Sequence, residues 1–256
     1  MIIIKSEDEI EKMREAGRIT ALILQEVARM VKPGVPTSRL NEYAERRTRE
    51  LGAIPAFKNY PHPSGLIRYP ASICVSINEE VVHGIPSRNK VIREGDLVSL
   101  DFGVIKDGYY GDSALTVGVE PLDDRRRELL NVTKEALYRG IEAAKPGARL
   151  SDISNAVQTY VESHGFGIVR DFTGHGIGSS LHEEPQIPNF GPKGRGPVLR
   201  ERMTFAIEPM VAMGDWRVMV KSDGWTAVTV DGLPSAHFEH TIVVREGEAE
   251  ILTKVE

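Results

Sequence analysis

A three-residue phrase occurs twice in this chain and limits its fold more than any other feature. Lys32-Pro33-Gly34 and Lys145-Pro146-Gly147 stand 113 residues apart. Each closes a stretch of helical periodicity, because proline removes a backbone donor and glycine admits the left-handed turn that ends a helix. Ahead of the first lie Ile10, Met13, Ile19, Leu22 and Val27 at helical spacing, opened by Ser6 and Glu9 in capping-box register. Residues 123–144 repeat the pattern ahead of the second. The echo continues at the same offset. Ser38 and Ser151 share it at the start of a second helix in each copy, with Ser151 placed as its cap, and Gly52 and Gly165 share it where that helix ends. The first of these helices (starting at Thr37 or Ser38) carries Leu40, Tyr43 and Ala44 inward, the second Ile153, Ala156, Val157 and Tyr160. Arg93-Glu94 then leads into an apolar run ending at Asp101, and Arg200-Glu201 into one ending at Glu208. The expected fold is α+β: two related αα–ββ halves across a pseudo-twofold axis, with acids of both halves converging between them. No linker or shift in composition divides the chain, so residues 1–256 are expected to form a single domain.

The hairpin between the halves is the most specific local signal. Residues 97–104 and 109–119 read as strands, and Asp107-Gly108 is a two-residue turn that joins antiparallel strands. With those two residues as the loop, Lys106 faces Tyr109 and Gly103 faces Asp112, and Asp101 lies diagonally across on the same face. Diagonal neighbours are about 7–8 Å apart, room for an ion, and Gly103 has no side chain to obstruct it. A slip of one residue would separate the two aspartates to opposite faces.

Three further residues belong with them. His175 stands in Phe172-Thr173-Gly174-His175-Gly176-Ile177-Gly178, read as a glycine-flanked turn that fixes the imidazole. Glu208 ends an apolar strand, and Pro209 stops its pairing. In residues 236–244 alternation places His237, Glu239, Thr241 and Val243 on one face of a single strand. A buried strand glutamate is costly unless it is paired or coordinating. His237 and His240 rank behind His175 as ligands, and His182 reads as a further polar group near the site. Asp101, Asp112, His175, Glu208 and Glu239 thus offer four carboxylates and one imidazole, whose charge two divalent ions would balance. Oxygen-rich donors with one nitrogen suit Mn, Fe(II), Co or Zn and do not choose among them. Two such ions bridge and acidify a water, which is the chemistry of a dinuclear hydrolase.

Composition excludes several other classes. A formal net charge of −5 argues against nucleic acid as the main partner. One cysteine, Cys74, precludes an internal disulfide and fits a reducing compartment. It lies in an apolar run, as a structural thiol does. The three aliphatics at residues 2–4 cannot form a signal-peptide core, and the longest apolar stretch, near residues 20–24, is far short of a membrane span. A cytoplasmic protein is expected. No phosphate-binding loop or dinucleotide fingerprint is present in its proper context.

These residues resemble the type I methionine aminopeptidases of bacteria. The matching stretches are Ser76-Ile77-Asn78-Glu79 with Val82-His83-Gly84-Ile85-Pro86; Gly95-Asp96 through Asp101; Gly108-Tyr109-Tyr110-Gly111-Asp112; Thr173 through Gly178; His182-Glu183-Glu184-Pro185; Glu208-Pro209; and Phe238-Glu239-His240-Thr241. The resemblance implies the pita-bread fold of creatinase and the aminopeptidases, with a curved, mainly antiparallel sheet. It implies that Asp101 chelates one metal, Asp112 and Glu239 bridge both, and His175 and Glu208 complete the other. It gives His83 a contact with substrate, His182 the stabilisation of the tetrahedral intermediate, and Glu208 the proton of the nucleophilic water. Tyr69, Cys74, Leu181 and Trp225 match the methionine pocket; Asn78, Glu80 and Ser235 match a monovalent-cation site of backbone carbonyls. The activity implied is removal of the first methionine of nascent chains, at the ribosome, by a monomer that prefers a small second residue. There are two departures. Leu181 stands where the family often has phenylalanine, and residues 57–68 do not align.

Three rivals share the fold. Proline-directed aminopeptidases and prolidases usually carry an extra N-terminal domain, whereas only about 100 residues precede Asp101 here. A type II methionine aminopeptidase needs room for a helical insert, which the 33 residues from His175 to Glu208 and the 31 from Glu208 to Glu239 do not leave. A metal-free binding module would not be expected to keep all five ligand types.

Overall fold

A computed structural model describes residues 2–255. Helix α1 (Glu7–Ala28) opens with the expected capping box: Ser6 Oγ accepts the Glu9 N–H, and Glu9 accepts the Ser6 N–H. Next come α2 (Thr37–Glu50), β1 (Ile54–Pro55), β2 (Cys74–Ile77), β3 (Glu80–Val82), β4 (Leu97–Lys106) and β5 (Tyr109–Gly118). The second half runs α3 (Asp124–Ala143), α4 (Leu150–Ser163), β6 (Gly167–Ile168), β7 (Thr173–Gly176), β8 (Glu183–Pro188) and β9 (Thr204–Ile207). It finishes with β10 (Met210–Ala212), β11 (Val218–Val220), β12 (Ala227–Thr229), β13 (Ser235–His237), β14 (Glu239–Val243) and β15 (Glu250–Ile251). No helix among the described residues is long and apolar enough to cross a membrane.

The duplication is written into the backbone. Helices α2 and α4, and strands β1 and β6, begin 113 residues apart. Gly34 N–H bonds Ile92 O and Ile92 N–H bonds Val35 O; Gly147 with Leu199 and Leu199 with Ala148 repeat both contacts. Gly34 and Gly147 hold φ of 86° and 88°, a left-handed turn in which a side chain would be strained. One expected detail is corrected. Ser151 does not cap α4: the helix starts at Leu150, Asp152 accepts the Arg149 N–H, and Ser151 Oγ accepts Arg195 N–H instead. Likewise α2 begins after Pro36 without a side-chain cap.

The main sheet has the order β1-β4-β5-β14-β9-β7-β8, with β2 also on β4 and β15 on β14, every pair antiparallel. The halves join where β5 pairs with β14. Alternation along the strands then divides the two faces. Val98, Leu100, Phe102 and Val104 of β4 enter a core with Ile19, Ile23 and Leu40 of α1 and α2. Phe205 and Ile207 of β9 and Ile242 of β14 enter a second core with Leu137 and Ile141 of α3. The helices therefore cover one face in both halves. Asp101, Ala206, Glu239 and Thr241 have the opposite parity and point to the face turned away from these helices. That parity, fixed by burying Phe102 and Phe205 completely, aims the acids.

Candidate metal centre

The hairpin forms in the expected register. Lys106 pairs with Tyr109 and Gly103 with Asp112, and the turn residues Asp107 and Gly108 hold φ of 49° and 82°. Ala114 of β5 pairs with Asp101 on one side and with Glu239 on the other, so two carboxylates flank one small residue in a row across three strands. Thr241 locks the next row, accepting Asp112 N–H at 3.1 Å and donating to Asp112 O at 2.8 Å. The expected reason for Gly103 is corrected. A side chain there would meet Gly111 O at 3.0 Å and Phe57 at 3.1 Å, so glycine admits the chain crossing over β4 and does not make room for an ion.

His175 does not sit in a turn. It lies within β7, paired with Gln186 of β8 and Ala206 of β9. Its flanking glycines allow neighbouring backbone to approach: a Cβ on Gly174 would stand 2.5 Å from Ala206 O, and one on Gly176 2.2 Å from Glu184 O. His175 Nδ1 faces the Gly176 carbonyl at 2.8 Å. A carbonyl only accepts, so Nδ1 carries the hydrogen and Nε2 offers its lone pair to the cluster. Glu239 and His237 are not on one continuous strand. The ladder breaks at Phe238, and β13 and β14 belong to different sheets, yet both side chains still reach the same place.

The ligand atoms of Asp112, His175 and Glu239 lie within 4.8 Å of one another, as do those of Glu208, His237 and Glu239. His175 Nε2 is 3.6 Å from Glu208 Oε1 and 3.9 Å from Asp112 Oδ2. Asp101 Oδ1, Asp112 Oδ1 and Glu239 Oε1 are buried without a hydrogen-bond partner. Burial holds the Asp101 carboxyl up at about 7 and that of Glu208 at about 8. Asp112 and Glu239 are raised well above the usual range, by burial first and then by neighbouring carboxylates. Burial also pushes the imidazoles down, His175 to about 3 and His83 to about 4, so both are neutral. Neutral nitrogen lone pairs beside crowded, orphaned carboxylate oxygens form a donor set that fits divalent cations.

All eleven residues expected at the site line one cavity of about 830 Å³. Tyr69, Cys74, His83, Leu181, His182 and Trp225 form walls around the acids. Trp225 packs edge-on to Tyr69 at 5.2 Å, and burial raises the Cys74 thiol well above its ordinary value, leaving an inert apolar wall. His83 holds a φ of 60°, unusual outside glycine and a kind of strain that concentrates at functional sites. Asn78, Glu80 and Ser235 also meet: Ser235 Oγ is 3.0 Å from Asn78 O and 3.2 Å from Glu80 O.

Two residues escaped the sequence reading. Residues 57–68 fold back as an irregular hairpin, with Tyr69 N–H on Tyr60 O and His62 N–H on Ile67 O. This puts the Tyr60 hydroxyl 2.6 Å from His182 Nδ1 and His62 edge-on to Trp225. No periodicity announces such a segment. His237, ranked behind His175, is fully inside the cluster, and its place on the alternating face was the available signal.

Residues 11–246 match the model of metallopeptidase family M24. The chain belongs to metallopeptidase family M24. Methionine aminopeptidase 1 of Bacillus subtilis is 51% identical over 255 residues, covering 100% of both chains. Among solved structures, a methionine aminopeptidase from Thermotoga maritima superposes with a TM-score of 0.95 at 52% identity, covering 99% of this chain and 100% of that one. A prolidase from Pyrococcus furiosus reaches 0.79 at 26% identity, and this chain spans 66% of its length. The M24 fold is the expected pita-bread arrangement, and full-length similarity runs to the methionine aminopeptidases.

Proposed function

We propose that this protein is a dinuclear-metal aminopeptidase that removes the N-terminal methionine of nascent chains, with residues 1–256 acting as one catalytic unit. The observation that carries the reading is a single cavity joining an acid-and-imidazole cluster to an apolar pocket. The likeness to methionine aminopeptidases over the whole chain supports the substrate. Two divalent ions, from Co, Mn, Fe(II) or Zn, would supply a Lewis acid and an acidified water when bound. In this reading Asp101, Asp112, His175, Glu208 and Glu239 would hold the two ions, Asp101 from one side of the cluster and His175 with Glu208 from the other.

The rest falls to the chain's own groups. Glu208 takes the proton of the attacking water, a task for which its place at the edge of the acid cluster suits it. Tyr60 Oη lies 2.6 Å from His182 Nδ1; in this reading the hydroxyl is the donor, so that Nε2 carries the hydrogen and donates to a developing oxyanion. His83, neutral and conformationally fixed, contacts the substrate. Tyr69, Cys74, Leu181 and Trp225 enclose a thioether, and the aromatic edges favour sulfur. A small second residue follows from crowding at the scissile bond. Asn78, Glu80 and Ser235 would hold a monovalent cation through their carbonyls. A cytoplasmic monomer acting at the ribosome completes the reading, and the free buried thiol of Cys74 fits a reducing compartment.

The test assays Met-Ala-Ser and Ala-Pro peptides with each divalent metal and measures bound metal by mass spectrometry. Release of methionine from the first peptide with metal present is expected. Release beside proline without release of methionine would replace this reading with the prolidase one. Purification without stoichiometric metal, and no activity when metal is added, would favour a binding module.

A further inference from the structure

The Glu208 carboxylate stands between two imidazoles. Its Oε1 is 3.6 Å from His175 Nε2 and its Oε2 is 3.5 Å from His237 Nε2. The two contacts differ in kind. His175 has its hydrogen committed to the Gly176 carbonyl, so it turns a lone pair toward Oε1, and that pairing needs a cation between the two atoms. His237 has no such commitment. It is 1% exposed, and neither ring nitrogen has a hydrogen-bond partner. A buried donor left unmet is destabilising.

The backbone that carries the ring is held firmly in place. His237 is paired to Met210 in the ladder of β13 with β10. Thr116 Oγ1 also accepts the His237 N–H at 2.9 Å and donates to the His237 carbonyl at 2.8 Å. Within reach of this buried imidazole are the carboxylates of Glu208 and Glu239.

We propose that His237 is a positioning residue for Glu208: its Nε2–H donates to Oε2, which turns Oε1 toward the side shared with His175. The inference rests on the metal reading above. The carboxylate is then held by one oxygen on each side and cannot rotate between them. Direct ligation by His237 is the competing arrangement, and proton placement separates the two. Ligation through Nε2 would leave an N–H at Nδ1 buried without an acceptor. Donation through Nε2 leaves only a lone pair unmet there, which protein interiors tolerate more readily than an orphaned donor.

The experiment uses the full chain loaded with Zn(II), uniformly labelled with 15N-histidine, and metal affinities for wild type, His237→Gln and His237→Leu from calorimetry. Positioning predicts a protonated Nε2 and an unprotonated Nδ1 on His237. It also predicts a roughly 10–100-fold loss of affinity for one equivalent of metal in His237→Leu, the range set by losing an outer partner of a ligand. Glutamine can present an N–H to the same oxygen, so His237→Gln should restore most of that affinity. An Nε2 without a proton in the loaded wild type, or unchanged affinity in His237→Leu, overturns the proposal. The NMR measurement needs no variant to fold. Neither readout uses a peptide, so failure of the aminopeptidase reading would register separately.

Discussion

Removing the carboxylate of Glu183 should destabilise this protein more than almost any other single polar change. Lys5 is 2% exposed, and its Nζ lies 2.5 Å from Glu183 Oε2; the other oxygen faces Ser180 N–H at 3.3 Å. Gly178 lets the lysine pass, since a Cβ there would be 2.4 Å from Lys5 Cε. Glu183→Gln leaves the ammonium buried without its counter-charge, a loss of about 3–5 kcal/mol for a pair of this kind. At about 2–4 °C per kcal/mol for a chain of this size, the melting temperature should fall by roughly 6–20 °C. Replacing both partners with apolar side chains of similar volume removes the charges together, so Lys5→Met/Glu183→Leu should recover most of the loss. Calorimetry of metal-depleted wild type, Lys5→Met, Glu183→Leu and the double variant completes the cycle without ligand stabilisation, with Glu183→Gln measured beside it. A Glu183→Gln melting point within about 2 °C of wild type would refute the reasoning. So would a double variant no more stable than the singles. Because Glu183 follows His182, the single variants should also lower kcat more than metal affinity.

Other perturbations have equally definite signs. Asp101 and Glu208, held up at about 7 and about 8 against 3.8 and 4.5 in an unfolded chain, bind protons more tightly in the fold. Stability of the metal-free protein should therefore fall as pH rises from about 6.5 to 8.5, and excess divalent metal should abolish the slope. Below that window His83, His175 and His240, pushed down to about 4, 3 and 4, act in the opposite direction, so urea midpoints should be compared within the window and not below it. A flat or rising metal-free profile would count against the cluster. Tyr60→Phe should lower kcat about tenfold with KM and metal content nearly unchanged, the scale expected for losing the partner that orients a catalytic imidazole; equal kcat would remove Tyr60 from the mechanism. Gly176→Ala should fail to bind metal or fail to fold, since its Cβ would stand 2.2 Å from Glu184 O in a packed ladder, and metal content of any soluble fraction decides it.

Local chemistry made much of this molecule legible in the sequence. Capping, helix stops and the Asp107-Gly108 turn are set by neighbouring residues, and they placed α1, the paired helices and the hairpin register with its two aspartates. Features settled by distant partners were not legible. Gly174 and Gly176 looked like turn residues because the backbone that presses on them, at Ala206 and Glu184, is remote or folds back. The break at Phe238 is imposed by β13 and β14 joining different sheets. Residues 57–68 carry no periodic signal because their order comes from the chain folding back on Tyr69 and from the walls of the cavity. Ser151 was misread because Asp152, one residue further on, reaches the helix terminus first.

The seam where β5 pairs with β14 has a mechanical consequence. Asp101 and Asp112 approach it from one half; His175, Glu208 and Glu239 approach from the other. A cation held by both groups acts as a rivet through the middle of the sheet, so neither half can peel away without first surrendering it. Amide exchange in β5 and β14 should then slow in step with metal occupancy, while the outer strand β8 keeps the same rate.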